Sequence, residues 1–283
     1  MELRCNLPEQ KDPLEEMRQM FHFQCDKNDS LKKEIERLSG RHGRKKSPYF
    51  LAEGVRCCLE AIRRRPGWIE VVLYEASFRE NAAFSEFSAA LSAQGLDAEE
   101  VSSSEFAQLA VTEHPQGILC LLRRPEQVEA ALPRPFCLLL DQIREPGNAG
   151  TILRTAWAVG LDSVWLTAGS ADVFAPKVIR AGMGAQFALE IQVFASLEAA
   201  LDTFHALGGG AVWCSMPGAG CSVFSPEFDL RNSALVIGNE GDGISRPELG
   251  QPVTIPMPGQ AESLNAAQAA TIFLFEGVRR GIL

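Results

Sequence analysis

Three short blocks in the second half of the chain carry the side chains best placed to do chemistry. They are EPGNAGTILRTA (Glu145 to Ala156), LVIGNEGDG (Leu235 to Gly243) and IPMPGQAESLNAAQAA (Ile255 to Ala270). Each sets glycine, proline and one or two polar residues directly after an apolar run that reads as a strand. Backbone curves at strand ends, with a few fixed polar groups, are how an α/β domain builds a ligand site. In the first block, Asn148 suits a helix cap, worth about 1 kcal/mol, or a hydrogen-bonding group in a site. Arg154 follows six positions later, roughly one and two-thirds helical turns on. Its neighbours Ile152, Leu153, Thr155 and Ala156 are largely apolar, so it either faces solvent or has a specific partner.

The second block turns on Gly238, Gly241 and Gly243. It has no P-loop lysine, and its GxxGxG spacing is not the dinucleotide fingerprint. Glu240 and Asp242 would repel phosphate, so the turn suits a neutral or cationic ligand that meets backbone atoms closely. Glu240 equally suits a cap for the following turn. In the third block, Pro256 and Pro258 stop the strand Val253 to Ile255, and 259–262 reads as a loop. Ser263 is a fair cap for the final helix, with Asn265 in its first turn. The inner face of that helix is expected at Leu264, Ala267, Thr271, Phe275 and Val278. Ala266, Ala267, Ala269 and Ala270 leave one flank nearly bare, so a helix or a ligand is expected to pack there.

The elements that must hold these blocks alternate strand and helix. Strands are expected at Phe136 to Leu140, Ser163 to Leu166, Leu189 to Val193, Gly210 to Cys214, Ala234 to Ile237 and Val253 to Ile255. Helices are expected at Ala149 to Val159, Ala175 to Ala181, Leu197 to Ala206 and Leu264 to Arg280, with Pro146 to Asn148 as a tight turn before the first. Continuous apolar strands between such helices imply a parallel sheet covered on both faces. A second, smaller α/β unit precedes it: strands at Tyr49 to Leu51, Ile69 to Tyr74 and Gly117 to Leu122, and helices at Gly54 to Arg64, Ala82 to Leu91 and Ser104 to Leu109. Asp29 or Ser30 suits a cap for a helix over Leu31 to Leu38. Arg123 to Pro135, with Pro125, Pro133 and Pro135, reads as a linker with room for one helical turn. The divisions are an extension over 1–25, a front domain over 26–123, a linker over 124–134 and a rear domain over 135–283.

The chain has 283 residues, 46% hydrophobic and 22% charged, with a formal net charge of −9. That is ordinary for a folded soluble protein of two domains. No apolar run long enough for a transmembrane helix is present, and the N-terminus reads as neither signal nor transit peptide, so a cytoplasmic location without membrane association is expected. Eight cysteines with no CxxC pair and four histidines make a metal site unexpected. Cys120 and Cys137 sit in apolar runs and read as core thiols. The charge is uneven: Lys27 to Arg65 holds 12 of the 27 Lys and Arg against five acids. This is either a solvated helix face or a phosphate-binding patch.

Taken together and in this order, the three blocks resemble the signature motifs of the SpoU (TrmH-like) RNA ribose 2′-O-methyltransferases, of the SPOUT class. The resemblance covers Phe136 to the C-terminus. More weakly, the front half is similar to that family's L30e-like substrate-binding domain, through YFLAEGVRCCLEAI (Tyr49 to Ile62) and the strand after it. The resemblance implies an α/β fold whose C-terminal parallel sheet contains a deep trefoil knot, a homodimer with its active site at the subunit interface, and S-adenosylmethionine as cofactor. It carries cofactor contacts to Gly238, Ile255 and Leu264, with Ile237 and Met257 beside them. It carries the catalytic set to Asn148, Arg154, Glu240, Ser263 and Asn265. Glu145 departs from the family's usual Asp but keeps the charge. The implied partner is RNA, held through Lys27 to Arg65, with ribosomal RNA ahead of transfer RNA. The rival readings are a base-nitrogen methyltransferase of the same class and an inactive RNA-binding or ribosome-assembly factor that kept the fold.

Overall fold

The computed structural model describes residues 26–283, so the expected extension over 1–25 lies outside the described residues. These residues form two compact units, one ending at Ser47 and the other running from Pro48 to Leu283. The first holds α1 (Asp26–Ser39) and α2 (Arg41–Lys46). Helix α1 already includes Asp29 and Ser30, so neither caps it. Leu31, Ile35 and Leu38, spaced to share one helical face, are buried. Helix α2 ends in Arg44, Lys45 and Lys46, the end at which the helix dipole favours positive charge.

The second unit opens with β1 (Tyr49–Glu53), α3 (Val55–Arg64), β2 (Ile69–Glu75), α4 (Phe84–Gln94), β3 (Glu99–Val101), α5 (Ser103–Leu109) and β4 (Ile118–Arg123). The four strands form a sheet in the order β1-β4-β2-β3. Strand β4 is antiparallel to both neighbours, and β2 and β3 pair in parallel. The edge strand β3 was not expected, because two of its three residues are exposed glutamates. Helix α5 starts one residue earlier than expected, at a reciprocal capping box between Ser102 and Glu105. Phe50, Ile62, Val72, Phe87 and Cys120 belong to the buried core of this sheet.

The chain continues through β5 (Cys137–Leu140), α6 (Pro146–Ala158), β6 (Ser163–Thr167), α7 (Pro176–Gly182), β7 (Glu190–Phe194), α8 (Leu197–Ala206), β8 (Val212–Ser215), β9 (Cys221–Ser222), β10 (Ala234–Ile237), β11 (Gln251–Thr254) and α9 (Ala266–Arg279). The strands build one seven-stranded sheet in the order β7-β6-β5-β10-β8-β11-β9. Every adjacent pair is parallel. Side chains alternate between two cores. Leu138, Leu140, Leu235 and Ile237 pack with residues of α6 and α9 on one face. Cys137, Leu139 and Val236 pack with Leu197, Leu201 and Phe204 of α8 on the other. Burial on both faces explains the unbroken apolar runs, and each leucine so buried stabilises the fold by about 1.5–3 kcal/mol. Because the sheet is parallel, the C-terminal ends of β5, β10, β8 and β11 share one edge, and the three blocks begin there.

Strand β9, paired in parallel with β11, was not expected, and the linker and helix α9 also differ from expectation. The linker forms no helical turn. It is stitched to the edge strand β7, where Gln127 Nε2 donates to the Val193 carbonyl and Gln192 Nε2 to that of Val128, both at 3.3 Å. Helix α9 is also rotated from its expected phase. Ala266, Ala267, Ala270, Phe273, Leu274 and Gly277 are its buried apolar positions, whereas Phe275 is 53% and Val278 40% exposed. The small alanines are what bury, so the helix sits close and its bulkier residues turn outward. Its C-terminus is fixed by Glu276, whose buried carboxylate receives Arg279 and Arg280. Arg280 also donates to the carbonyls of Val223 at 2.7 Å and Ser225 at 2.9 Å, and to that of Phe228. Those two arginines hold the Glu276 carboxyl at about 2, far below the usual 4.5.

Candidate active site

The first block does not begin with a free turn. Pro146 is the first residue of α6, and the cap is Glu145, whose carboxylate accepts from the Gly147 amide at 3.4 Å. Proline suits that position because its missing N–H has no intrahelical acceptor there. Lys177 pairs with Glu145 at 2.9 Å and, with the amide, holds the carboxyl below its ordinary range. Asn148 is therefore not a cap but a first-turn residue. Its side chain is free to reach across to the other blocks.

The second block closes on itself. Asn239 and Gly243 exchange backbone hydrogen bonds of 3.0 and 2.9 Å. Asn239 Oδ1 accepts from the amides of Gly241 at 2.7 Å and Asp242 at 3.2 Å, and Asn239 Nδ2 donates to the Gln142 carbonyl at 3.1 Å. The loop is so tight that a Cβ on Gly238 would lie 2.5 Å from the Gly243 carbonyl carbon. Below it, fully buried Asp141 at the end of β5 accepts from Thr167 Oγ1 and from the Ser245 amide, both at 2.7 Å. That carboxylate ties the ends of β5 and β6 to the far side of the loop. At the rim, Arg144 pairs with Asp242 at 2.7 Å.

In the third block the cap of α9 is Asn265, not Ser263. Asn265 Oδ1 accepts from the amides of Ala267 at 2.9 Å and Gln268 at 3.3 Å. Its other side-chain atom joins the blocks. Asn265 Nδ2 donates to Asn148 Oδ1 at 2.9 Å, and Asn148 Nδ2 donates to Glu240 Oε1. One polar residue from each block thus forms a single relay.

Beside this relay lies a cavity of about 300 Å³, walled by Ser215 to Pro217, Ile237 to Gly243, Ile255, Met257, Ser263, Leu264, Ala266 and Ala269. Ile237, Gly238, Ile255, Met257 and Leu264 all line it, as do Glu240 and Ser263. Asn148 and Asn265 reach it only through the relay. Ala266 and Ala269 line the cavity, and Ala266, Ala267 and Ala270 belong to the core. From Ile255 to Leu264 the main chain makes no backbone hydrogen bond among the described residues, so its N–H and C=O groups are available to a ligand. Apolar walls, open main-chain groups and two acids at the loop suit S-adenosylmethionine: an aromatic base, hydroxyls and a sulfonium cation. The residues present therefore fit that cofactor.

Arg154 is not brought into this group. It stands exposed on α6, some 120° around the helix from Asn148 by the 100° step per residue, and its side chain makes no hydrogen bond or ion pair among the described residues. The apolar residues near it in sequence point the other way, into the core. Part of the expected basic patch is also already occupied. Arg63, Arg64 and Arg65 pair with Glu86, Glu60 and Glu190 at 2.6, 2.7 and 2.6 Å. Sequence reasoning passed over Asn239, Asp141 and the Ser215 to Pro217 wall. The signal for Asn239 was present, as an asparagine followed two residues later by glycine favours a turn closed by its own side chain. Nothing local marks the wall, which enters through sheet order.

Known proteins resemble this chain in both sequence and fold. Residues 135–275 match the model of the SpoU rRNA Methylase family, and residues 29–120 match an MRM3-like substrate binding domain. The chain is 31% identical over 262 residues to the 23S rRNA (guanosine(2553)-2'-O)-methyltransferase RlmP of Bacillus subtilis, covering 90% of this chain and 98% of that one. It is 32% identical over 254 residues to an uncharacterized tRNA/rRNA methyltransferase of Synechocystis, covering 88% and 91%. The crystal structure of the SpoU methyltransferase AviRb from Streptomyces viridochromogenes in complex with AdoMet superposes with a TM-score of 0.73 at 29% identity, covering 89% of this chain and 98% of that one. The chain belongs to the SpoU rRNA methylase family.

Proposed function

We propose that the protein transfers the methyl group of S-adenosylmethionine to a ribose 2′-hydroxyl of ribosomal RNA. The observation that carries this reading is the Asn265–Asn148–Glu240 relay at the edge of the cavity. It fixes one polar group from each block around a single point, where a hydroxyl and a methyl donor would have to meet. When bound, S-adenosylmethionine supplies a sulfonium-activated methyl group. What remains for the chain is to orient the hydroxyl in line with it and help remove a proton.

The cavity walls and the open main chain from Ile255 to Leu264 hold the cofactor. The side-chain oxygens of the relay and of Ser263 set the hydroxyl's position. Arg154 acts on the RNA through charge and orientation, since a guanidinium stays protonated at neutral pH and is a poor base. Its exposed, unpaired position suits a homodimer in which α6 of one subunit completes the site of the other. The same reading keeps a front RNA-binding domain over 26–123, a linker over 124–134 and a knotted catalytic domain over 135–283. It places the protein with ribosomal RNA in the cytoplasm.

The test is calorimetry with S-adenosylhomocysteine, followed by transfer of labelled methyl groups to protein-free ribosomal RNA. Nuclease-resistant labelled dinucleotides mark 2′-O-methylation. Label confined to nuclease-sensitive mononucleotides would move the reading to base methylation, and cofactor binding without any transfer would support an inactive assembly factor.

A further inference from the structure

A second cavity, of about 580 Å³, is larger than the one just described and shares no lining residue with it, and nothing in the methyl-transfer reading uses it. It opens between the start of α3, the loop through Thr112 to Gln116, Asn81 to Ala83, and the end of α7. Arg180, in the last turn of α7, lines it. One terminal nitrogen of that guanidinium is fully buried with no hydrogen-bond partner, and the side chain makes no ion pair among the described residues. The residue as a whole is half-buried, and a guanidinium nitrogen shut away from water without a partner is uncommon in native folds. A second arginine, Arg56, lines the same cavity from the first turn of α3 and also has no acid partner among the described residues.

The remaining wall adds to this charge. Helix α3 starts at Gly54, which offers no side-chain cap. Gln116 takes only the Val55 amide, at 2.9 Å. The next amides of the first turn lack intrahelical acceptors by construction, at the positive end of a ten-residue helix. The acid in the wall, Glu53, is already engaged by the Val111 amide at 2.8 Å and by the Thr112 hydroxyl. Both arginines bear on Cys57, pulling its thiol down against the burial that pushes it up to about 11. Arg56, Cys57 and Arg180 all line this one cavity. Cys57 Sγ, 3.7 Å from the Ile179 carbonyl, marks where α3 meets α7.

We infer that this cavity binds a phosphate group, gripped by Arg180 and Arg56 at the open N-terminus of α3. Two arginines without acids and a run of free amides suit a phosphate's several oxygens. The phosphate comes either from the backbone of the RNA strand or from a free phosphate. The first source deepens the proposed function and rests on it, whereas the second does not.

The experiment uses the full-length protein and two variants, Arg180→Gln and Arg56→Gln. Arg56 is exposed, so its variant remains informative even if the Arg180 variant fails to fold. Binding of protein-free ribosomal RNA is measured from low to high salt, and inorganic phosphate is titrated by calorimetry in parallel. S-adenosylhomocysteine binding serves as a separate readout of the cofactor cavity. With an RNA phosphate in the cavity, each variant weakens RNA binding about tenfold near physiological salt. The slope of log K against log salt falls by roughly 0.7–0.9, and S-adenosylhomocysteine binding is unchanged. Loss of inorganic phosphate binding with RNA binding intact assigns the cavity to free phosphate. RNA slopes and phosphate affinities equal to wild type in the variants that fold overturn the inference. Failure of S-adenosylhomocysteine to bind the wild-type protein overturns the methyltransferase reading alone.

Discussion

The two cavities are built on opposite principles. Around the first, polar side chains satisfy one another before any ligand arrives: Asn265 with Asn148, Asn148 with Glu240, Asp242 with Arg144, and Glu145 with Lys177. Around the second, the two arginines have no acid partner among the described residues, and Gly54 leaves the start of α3 with Gln116 on its first amide alone. The first is preorganised, with main-chain groups held open by internally satisfied side chains. The second is electrostatically unbalanced and awaits a counter-charge. On the proposed reading, the chain separates reaction geometry from substrate capture. Variants around the first cavity should alter turnover or cofactor affinity. Variants around the second should alter RNA affinity and its dependence on salt.

The sharpest break in that contrast is Arg154. It is a cation without an acid partner among the described residues, like those of the second cavity, yet it is assigned to the chemistry of the first. Arg154→Ala is expected to lower methyl transfer by about 10²–10⁴-fold while leaving S-adenosylhomocysteine binding within twofold. Because the side chain is exposed, thermal stability should not change. Mixing this variant with a cofactor-site variant such as Gly238→Ala should restore part of the activity if subunits complete each other's sites. Absence of any restoration in demonstrated mixed dimers would remove the cross-subunit role.

Gly238→Ala comes next. The added methyl group meets the Gly243 backbone rather than a flexible side chain, so the loop itself has to shift. A loss of S-adenosylhomocysteine affinity of tenfold or more is expected, with a stability cost of about 1–3 kcal/mol typical of overpacking. Wild-type affinity in this variant would show that the tight Asn239–Gly243 closure is not what shapes the cavity.

Asn265 separates capping from catalysis. Asn265→Asp keeps an oxygen to accept from Ala267 and Gln268 but loses the amide that donates to Asn148. Asn265→Ala loses both, with the cap costing about 0.5–2 kcal/mol. Both variants should lower kcat by a similar factor of about ten or more if the relay orients the hydroxyl, the size of one lost hydrogen bond of roughly 1.5 kcal/mol. Only the Ala variant should lose appreciable thermal stability. Equal stability losses with unchanged kcat would reduce Asn265 to a cap.

How far the sequence reveals these arrangements depends on where the determining contacts lie. The rear sheet was legible because strands buried on both faces need unbroken apolar runs, and Phe136 to Leu140 and Ala234 to Ile237 supply them. The start of α6 was misplaced although the cue was local. Pro146 after a carboxylate is a helix-start signal, and the adjoining glycine suggested a turn instead. The phase of α9 was hidden because alanines, not Phe275 and Val278, form its inner face. Ser263 and Asn265 are both good caps by type, and only the bonds of Asn265 to two amides decide between them. Asp141 and Arg180 became significant only when strand order and helix packing placed them.

The smallest expected effect lies at the other end of α9 from the first cavity, at Glu276. Its carboxyl is held at about 2 by Arg279 and Arg280, against an ordinary 4.5. The unfolded chain therefore binds this proton more readily than the folded one. The stabilisation is fully present above about pH 4.5 and is lost as the pH falls through that interval towards 2. Other acids titrate in the same window, so the informative quantity is the difference in Tm between wild type and Glu276→Gln. That difference should be positive and level at neutral pH, then shrink between about pH 4.5 and 2, where a protonated carboxyl and an amide become nearly equivalent partners for the two arginines. Because Arg280 also holds the carbonyls of Val223, Ser225 and Phe228, the variant should loosen the segment beneath α9 without moving the cofactor loops. S-adenosylhomocysteine affinity at neutral pH should then match wild type. A fall in that affinity alongside the Tm would mean that this end of α9 and the first cavity are coupled, and that preorganisation there extends to the last turn of the chain.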